Sequence, residues 1–433
     1  MQRFSAAMLP LEATMKVRFS LLLFLSLVFA AVYPWRAFAQ APAKPETIVF
    51  TNANVIDGVS AQALRGATVI LRDGRIEKVQ SGAAHIPLNV KVIDLKGKWL
   101  LPGWIDAHVH LFNLTSARNA LRYGVTTARS MGVSHFVDIG MRQLNHAGAA
   151  ELPDVVASGY HVRPKPAEEF FLQFPQMMDM RANGVRGAEY VRRMVRAQLD
   201  RGVDVIKIMA TDRAGLVETD PLQRIYTEEE LAAAVAEARS RGIFVAAHAH
   251  GDEGAEAAVR AGVRSIEHGT YLSEQTLALM KERGTYLVPT VATIWEMGDP
   301  SLEDTNPTLA IRARAMLPRI RLTAARAWKM GVKIVAATDT GYSPGNILTL
   351  PMEVVELVGI GMPPMEAIKA GTSVAAECLG IEKRTGAIRA GLEADLIVIE
   401  RDPLTDISAL HELLMVVNNG RIALNRLYGN AVP

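Results

Sequence analysis

From residue 101 to about residue 380, short apolar runs alternate with stretches of helical character, and this alternation limits the chain to few architectures. The runs are residues 104–109, 125–128, 155–158, 203–209, 243–247, 265–266, 286–291 and 332–337. Strands that alternate with helices pack as a parallel sheet, each helix carrying the chain back across it. Thr227 and Glu230 form a capping box for LAAAVAEARSRG, which Gly242 stops, and Ser273 starts another helix that ends at Gly284. Eight such repeats over this length predict an α/β fold, a (β/α)8 TIM-like barrel.

Both ends of the chain read differently. Residues 47–55, 67–71, 75–79, 90–95 and 99–100 are short β-rich runs, with Asp57-Gly58 and Asp73-Gly74 as hairpin turns. Residues 395–399, 415–417 and 421–424 repeat the pattern around Asn419-Gly420. These runs predict a small β-sandwich domain formed from both termini, its parts at 46–100 and 383–433, around a barrel at 101–382. Pro164, Pro166 and Pro175 make the gap between His161 and Gly187 a loop over the barrel mouth.

Residues 1–39 read as a signal peptide. Lys16 and Arg18 precede the apolar run FSLLLFLSLVFAAV, and Ala37-Phe38-Ala39 fits a cleavage site. The run is shorter than the roughly 20 residues a spanning helix needs, so no stable membrane span is expected. An exported, periplasmic protein follows, with a mature start near Gln40; Met15 is an alternative start. The formal net charge is +2, but residues 1–40 carry Arg3, Lys16, Arg18 and Arg36 against Glu12, leaving the remainder slightly acidic. No basic run interleaves with aromatics, and no nucleic-acid partner is expected. A single cysteine, Cys378, excludes an intrachain disulfide and a cysteine-built zinc site.

The chemistry lies where the strands end. In LPGWIDAHVHL, His108 and His110 are two residues apart on a strand and leave the same face. Lys207 sits in the apolar strand VDVIKIMATD, His248 ends IFVAAHAH, His268 ends SIEHG and Asp339 ends KIVAATD. A lysine facing a barrel interior needs a partner or must lose its charge. It can pair with Asp204 or Asp212, or it can be carboxylated, a carbamate that bridges two metals. The six residues together predict two divalent metal ions, zinc by their nitrogen and carboxylate donors, with manganese, cobalt or iron as alternatives. A metal-bridging hydroxide would attack a carbonyl, Asp339 taking its proton and delivering it to the leaving amine.

LPGWIDAHVHL, RYGVTTARSMG, GVDVIKIMATD, VAAHAHGDEGAEAAVRAGVRSIEHGTYL, ATDTG and GAIRAGLEADLIVIERDPLTDIS together resemble the metal-dependent amidohydrolase superfamily. The branch is the imidazolonepropionase-like one, with Xaa-Pro dipeptidases and ochratoxin-hydrolysing amidohydrolases. The resemblance implies a distorted barrel and metal roles for His108, His110, Lys207, His248, His268 and Asp339. It makes His250 a substrate contact, with His161 and Tyr226 as further candidates, the latter for the oxyanion. HVRPKPAEEFFLQF and TDRAG depart from the branch's glycine-rich loops, and Arg163, Lys165 or Arg213 within them can hold a free carboxylate. The implied substrate is a small molecule, a dipeptide or N-acyl amino acid, cleaved at the amide bond to its C-terminal amino acid. Cyclic-amide and lactone hydrolysis use the same metals and stay open; a non-catalytic exported binding protein is the remaining alternative. Members of the branch commonly form homo-oligomers, which is the expected assembly.

Overall fold

The computed structural model describes residues 46–427 except 87, 89, 303–305 and 345–347; the predicted signal peptide lies outside the described residues. The N-terminal strands are β1 (Ile48–Val55), β2 (Leu64–Arg72), β3 (Arg75–Ser81), β4 (Lys91–Asp94) and β5 (Trp99–Pro102). Next come β6 (Trp104–Val109), β7 (Val125–Ser130), β8 (Asp154–Ala157), β9 (Val205–Met209), β10 (Phe244–Ala249), β11 (Ser265–His268) and β12 (Tyr286–Val288). The last are β13 (Leu396–Ile399), β14 (Leu413–Asn418) and β15 (Arg421–Asn425).

The two ends of the chain meet in one mixed sheet. Its order is β15-β14-β13-β5-β1-β2-β3, with β4 beside β1. Two tight hairpins fix its register. Asp73 and Gly74 take φ of 49° and 79°, and Asn419 and Gly420 take 50° and 74°, the double positive φ that a two-residue turn between twisted strands requires. Asp57-Gly58 does not close such a hairpin. The Asp57 carboxylate instead accepts N–H groups from Val59 and Ser60 at 2.8 and 2.7 Å, opening a longer connection to β2. Ile48, Phe50, Val69, Leu71, Leu396 and Val398 pack together as this sheet's own core. The pairing thus joins the predicted end strands edge to edge, where two layers were expected.

The parallel strands fall into two sheets, β6-β7-β8 and β9-β10-β11-β12, rather than one continuous closed ring. Side chains and intruding backbone explain the breaks. Between β8 and β9 the pairing reduces to the bridge Val162–Ile208, and the Asp204 carboxylate takes the Ala157 N–H at 2.9 Å. The predicted eighth strand, 332–337, is not regular. It bridges β12 at Leu287–Ile334, and Thr340 just beyond it bridges the end of β6 at Val109. Ala370 and Gly371 wedge in below that contact, accepting the N–H groups of Ala336 and Ile105 at 3.0 and 2.9 Å.

Helices cover these sheets where the sequence predicts them. Glu228–Arg239 opens on the expected capping box, Thr227 accepting from Glu230 N–H and Glu230 from Thr227 N–H. Glu274–Arg283 opens on Ser273 and closes on left-handed Gly284. The proline-marked gap differs from its prediction: it contains the short helices Glu168–Gln173 and Asp179–Asn183. Phe170, Phe171, Phe174 and Met177 are buried there with Phe136 and Tyr160, which joins the segment to the main hydrophobic core. No helix among the described residues is long and apolar enough to cross a membrane.

Candidate active site

The parallel strands deliver four imidazoles, a lysine and an aspartate to one place. His108 is the penultimate residue of β6, Lys207 the third of β9, His248 near the end of β10 and His268 the last of β11. In register, Lys207 lies beside Ala246 of β10, and Ala249 beside His268. His110 and Asp339 follow the strand ends, and all six residues line one small cavity of about 90 Å³. The predicted ligands are therefore together.

Within that cavity the donors form two groups. His108, His110 and Asp339 offer ligand atoms within 4.8 Å of one another, and so do His248, His250 and His268. His250 thus stands among the imidazoles, its ring stacked on His268 with centroids 4.8 Å apart. Lys207 Nζ lies 3.1 Å from His108 Nε2. Neither aspartate considered as its partner holds it: Asp204 pairs with Arg142, and among the described residues Lys207 has no ion pair within 4 Å.

Hydrogen bonds on the far side of each ring aim its lone pair inward. His108 Nδ1 donates to Glu267 Oε2 at 2.8 Å, His110 Nδ1 to the Gly132 carbonyl at 3.0 Å, and His248 Nε2 to the Asp212 carbonyl at 3.1 Å. His268 Nδ1 lies 2.8 Å from Thr290 Oγ1, and His250 Nδ1 2.8 Å from Thr270 Oγ1. Such outer partners fix tautomers and orient metal-ligating histidines. His110 Nε2 lies 3.0 Å from Asp339 Oδ1. Imidazole nitrogens and a carboxylate oxygen that converge so closely are the donor types a divalent cation takes. The donor set therefore fits divalent metal.

The electrostatics agree. Burial pushes His108 down to about 4 and His250 to about 3, and holds His248 and His268 well below the usual range. Burial likewise lowers the Lys207 amine to about 8, making an uncharged nitrogen accessible. Burial opposes ionisation of Asp339, but His108, His110 and Lys207 outweigh it and keep the carboxylate below its ordinary range.

Several supporting residues escaped the sequence reading. Glu267 and Arg129 are buried and paired at 2.9 Å, so Glu267 joins a buried guanidinium to the His108 ring. Ser265 Oγ also donates to Glu267, at 2.5 Å. Ser265 and Glu267 alternate along β11 on the side opposite Ile266, and a carboxylate mid-strand was the available signal. Asp106 accepts from Thr338 N–H, Thr338 Oγ1 and Tyr342 O–H at 3.0, 2.7 and 2.8 Å, tying β6 to the segment that carries Asp339. Asp339, His268 and Thr290 all adopt left-handed φ, 53°, 73° and 53°, a backbone strain that clusters at functional sites.

The other predicted contacts divide. His161 lines the same cavity, its ring 5.9 Å from His110. Tyr226 is not brought to the cluster: it is buried, and its hydroxyl donates to the Val185 carbonyl at 3.1 Å.

With this geometry in place, comparison with known proteins decides the family. The amidohydrolase family matches residues 99–423. The chain belongs to that family. Ochratoxinase of Aspergillus niger is 37% identical over 231 residues, 52% of this chain and 47% of that protein. The match thus spans about half the length of this curated relative. Imidazolonepropionase of Chromobacterium violaceum is 27% identical over 393 residues, 79% of this chain and 87% of the other. Among solved structures, a Xaa-Pro dipeptidase with bound methionine in its active site superposes with a TM-score of 0.79 at 29% identity, covering 87% of this chain and 99% of that one. The family and these neighbours imply a TIM-barrel fold, to which the two parallel sheets belong.

Proposed function

We propose that this amidohydrolase-family chain hydrolyses the amide or peptide bond to a C-terminal amino acid, as a dipeptidase or an N-acyl amino acid hydrolase. The observation that carries the reading is the meeting of two histidine-containing donor groups at a buried lysine. His108, His110 and Asp339 would hold one divalent cation, and His248 and His268 the other, with Lys207 as its carbamate between them. Zinc suits these nitrogen and oxygen donors. Cations bound there supply Lewis acidity and a nucleophile at neutral pH.

The chain's own groups do the remaining work. Glu267 fixes the His108 ring, and Gly132 the His110 ring, so neither donor must reorganise during a turnover. Asp339, ionised and 3.0 Å from His110, accepts the proton of the attacking water and passes it to the departing nitrogen. His161 and His250 line the same cavity and would serve as substrate contacts. The solved relative with methionine in its active site and the ochratoxinase likeness support a product bearing a free amino acid.

We further propose that residues 101–382 form the barrel and that the end strands form a companion β-domain. Residues 1–39 act as a leader that sends the chain to the periplasm. N-terminal sequencing of the exported protein should begin near Gln40; an intact Met1 or Met15 would refute that. The activity is tested with a panel of dipeptides and N-acyl amino acids given to zinc-loaded protein. Release of free amino acid is expected, and cleavage confined to cyclic amides or lactones would replace the proposal.

A further inference from the structure

Three cavities meet at the mouth of the site, and two arginines stand where they join. Arg213 lines the small cavity that holds His108, Lys207 and Asp339. Together with Arg163 it also lines a cavity of about 460 Å³ on one side and one of about 420 Å³ on the other. Both side chains are half-buried, and among the described residues neither makes an ion pair within 4 Å. Glu169 and Asp212 attract Arg163, but neither forms an ion pair with it within 4 Å. Glu169 accepts from Ser134 Oγ at 2.8 Å, and Asp212 takes the backbone N–H of Arg213 at 2.9 Å. Two like charges side by side, partly out of water, are costly without an anion to share.

The backbone under both arginines is fixed. Val162 N–H donates to the Lys207 carbonyl at 2.8 Å and Val185 N–H to the Pro164 carbonyl at 2.8 Å, so Arg163 is clamped from both sides. The close approach of Pro164 depends on Gly184, where a Cβ would lie 2.6 Å from the Pro164 oxygen. Arg213 belongs to a loop that Arg312 pins by donating to the carbonyls of Ala214 and Leu216 at 2.9 and 2.6 Å. Both arginines come from the stretches HVRPKPAEEFFLQF and TDRAG, which are this chain's own departures from its branch. In the larger cavity they face Phe112, which is 56% exposed and stacks on the His110 ring at 6.1 Å.

We infer that Arg163 and Arg213 form a paired guanidinium subsite for the free carboxylate of the substrate's C-terminal amino acid, with Phe112 as the apolar wall beside it. Guanidinium groups grip carboxylates through paired N–H donors, and a rigid loop spares the ordering cost of closing them. The subsite sits beside the reacting centre rather than in it, so it selects substrates without moving protons. This inference rests on the amide-hydrolase reading for the identity of its ligand.

Binding separates the two. N-benzoyl-L-phenylalanine and its carboxamide are titrated by calorimetry onto the Asp339→Asn protein, and onto the same protein carrying Arg163→Met or Arg213→Met. The acid should bind about 10- to 100-fold more tightly than the carboxamide, and either arginine change should remove most of that preference. Equal affinity for acid and carboxamide, or a preference that survives both arginine changes, overturns the subsite. The wild-type active enzyme supplies the second arm. There each arginine change should raise KM for the acid with kcat and metal content held, whereas an equal fall in kcat for acid and carboxamide assigns the arginines a structural role. Arginine-dependent binding of the acid without any cleavage by the wild type would leave the subsite standing and reject the hydrolase reading instead.

Discussion

Glu267 joins two buried groups that would each be costly alone, the Arg129 guanidinium and the His108 ring. Replacing it with glutamine leaves the guanidinium without its counter-charge and loosens the ring. Glu267→Gln should cost about 3–5 kcal/mol in urea unfolding. It should also weaken metal binding about 10- to 100-fold in competition with a chelator. Unchanged values in both would mean that Glu267 does not orient His108. Lys207 makes the sharper test. Lys207→Ala should abolish turnover, and short-chain carboxylic acids should partly restore it by entering the space the proposed carbamate would occupy; full turnover in the variant rules the carbamate out. At this scale the residues that gather in the cavity were legible, because histidines at strand ends declare themselves by position. The chain hid their supports. Glu267 and Arg129 look like ordinary charges until the fold removes both from water, and Tyr226, promising beside a capping box, turns its hydroxyl to Val185 instead.

One helix shows how an element is held for the site's use. Val291–Met297 starts at left-handed Thr290, and its Thr293, Ile294 and Met297 line the metal-site cavity. Its first N–H groups, from Val291 and Ala292, are capped at 3.1 and 2.8 Å by Glu353 from the helix Leu350–Gly359. Burial raises this carboxyl to about 8, against two N–H bonds that pull the other way. A carboxyl raised on folding keeps a proton that the unfolded chain has released. Its contribution is therefore whole below about pH 4.5, falls as pH rises towards 8, and is flat above. Glu353→Gln lacks that fall. Urea unfolding at about pH 5, 7 and 9 should show the variant gaining on the wild type as pH rises; a constant difference would place the proton elsewhere. The elements themselves were mostly legible, since periodicity and caps are local. What failed was non-local. Residues 332–337 carry a strand's composition, yet Ala370 and Gly371 take the hydrogen bonds a strand would use. Pro164, Pro166 and Pro175 suggested an open loop, while Phe170 and Phe174, one helical turn apart, bury themselves and give it structure.

For the whole molecule, the same donors that serve chemistry should also serve stability. Six imidazoles, a buried lysine and an ionised aspartate crowd one cavity, and bound cations would relieve that crowding. Chelation should lower Tm and zinc should restore it, the gain approaching about 4 kcal/mol per site when free metal exceeds Kd a thousandfold. A Tm indifferent to chelator would show that folding does not use the metal. The central claim is a two-cation centre built on Lys207, and elemental analysis of the purified protein tests it most directly. About two equivalents of divalent metal per chain are expected, falling in Lys207→Ala together with activity. Fewer than about one equivalent in a protein that still cleaves an amide would contradict it.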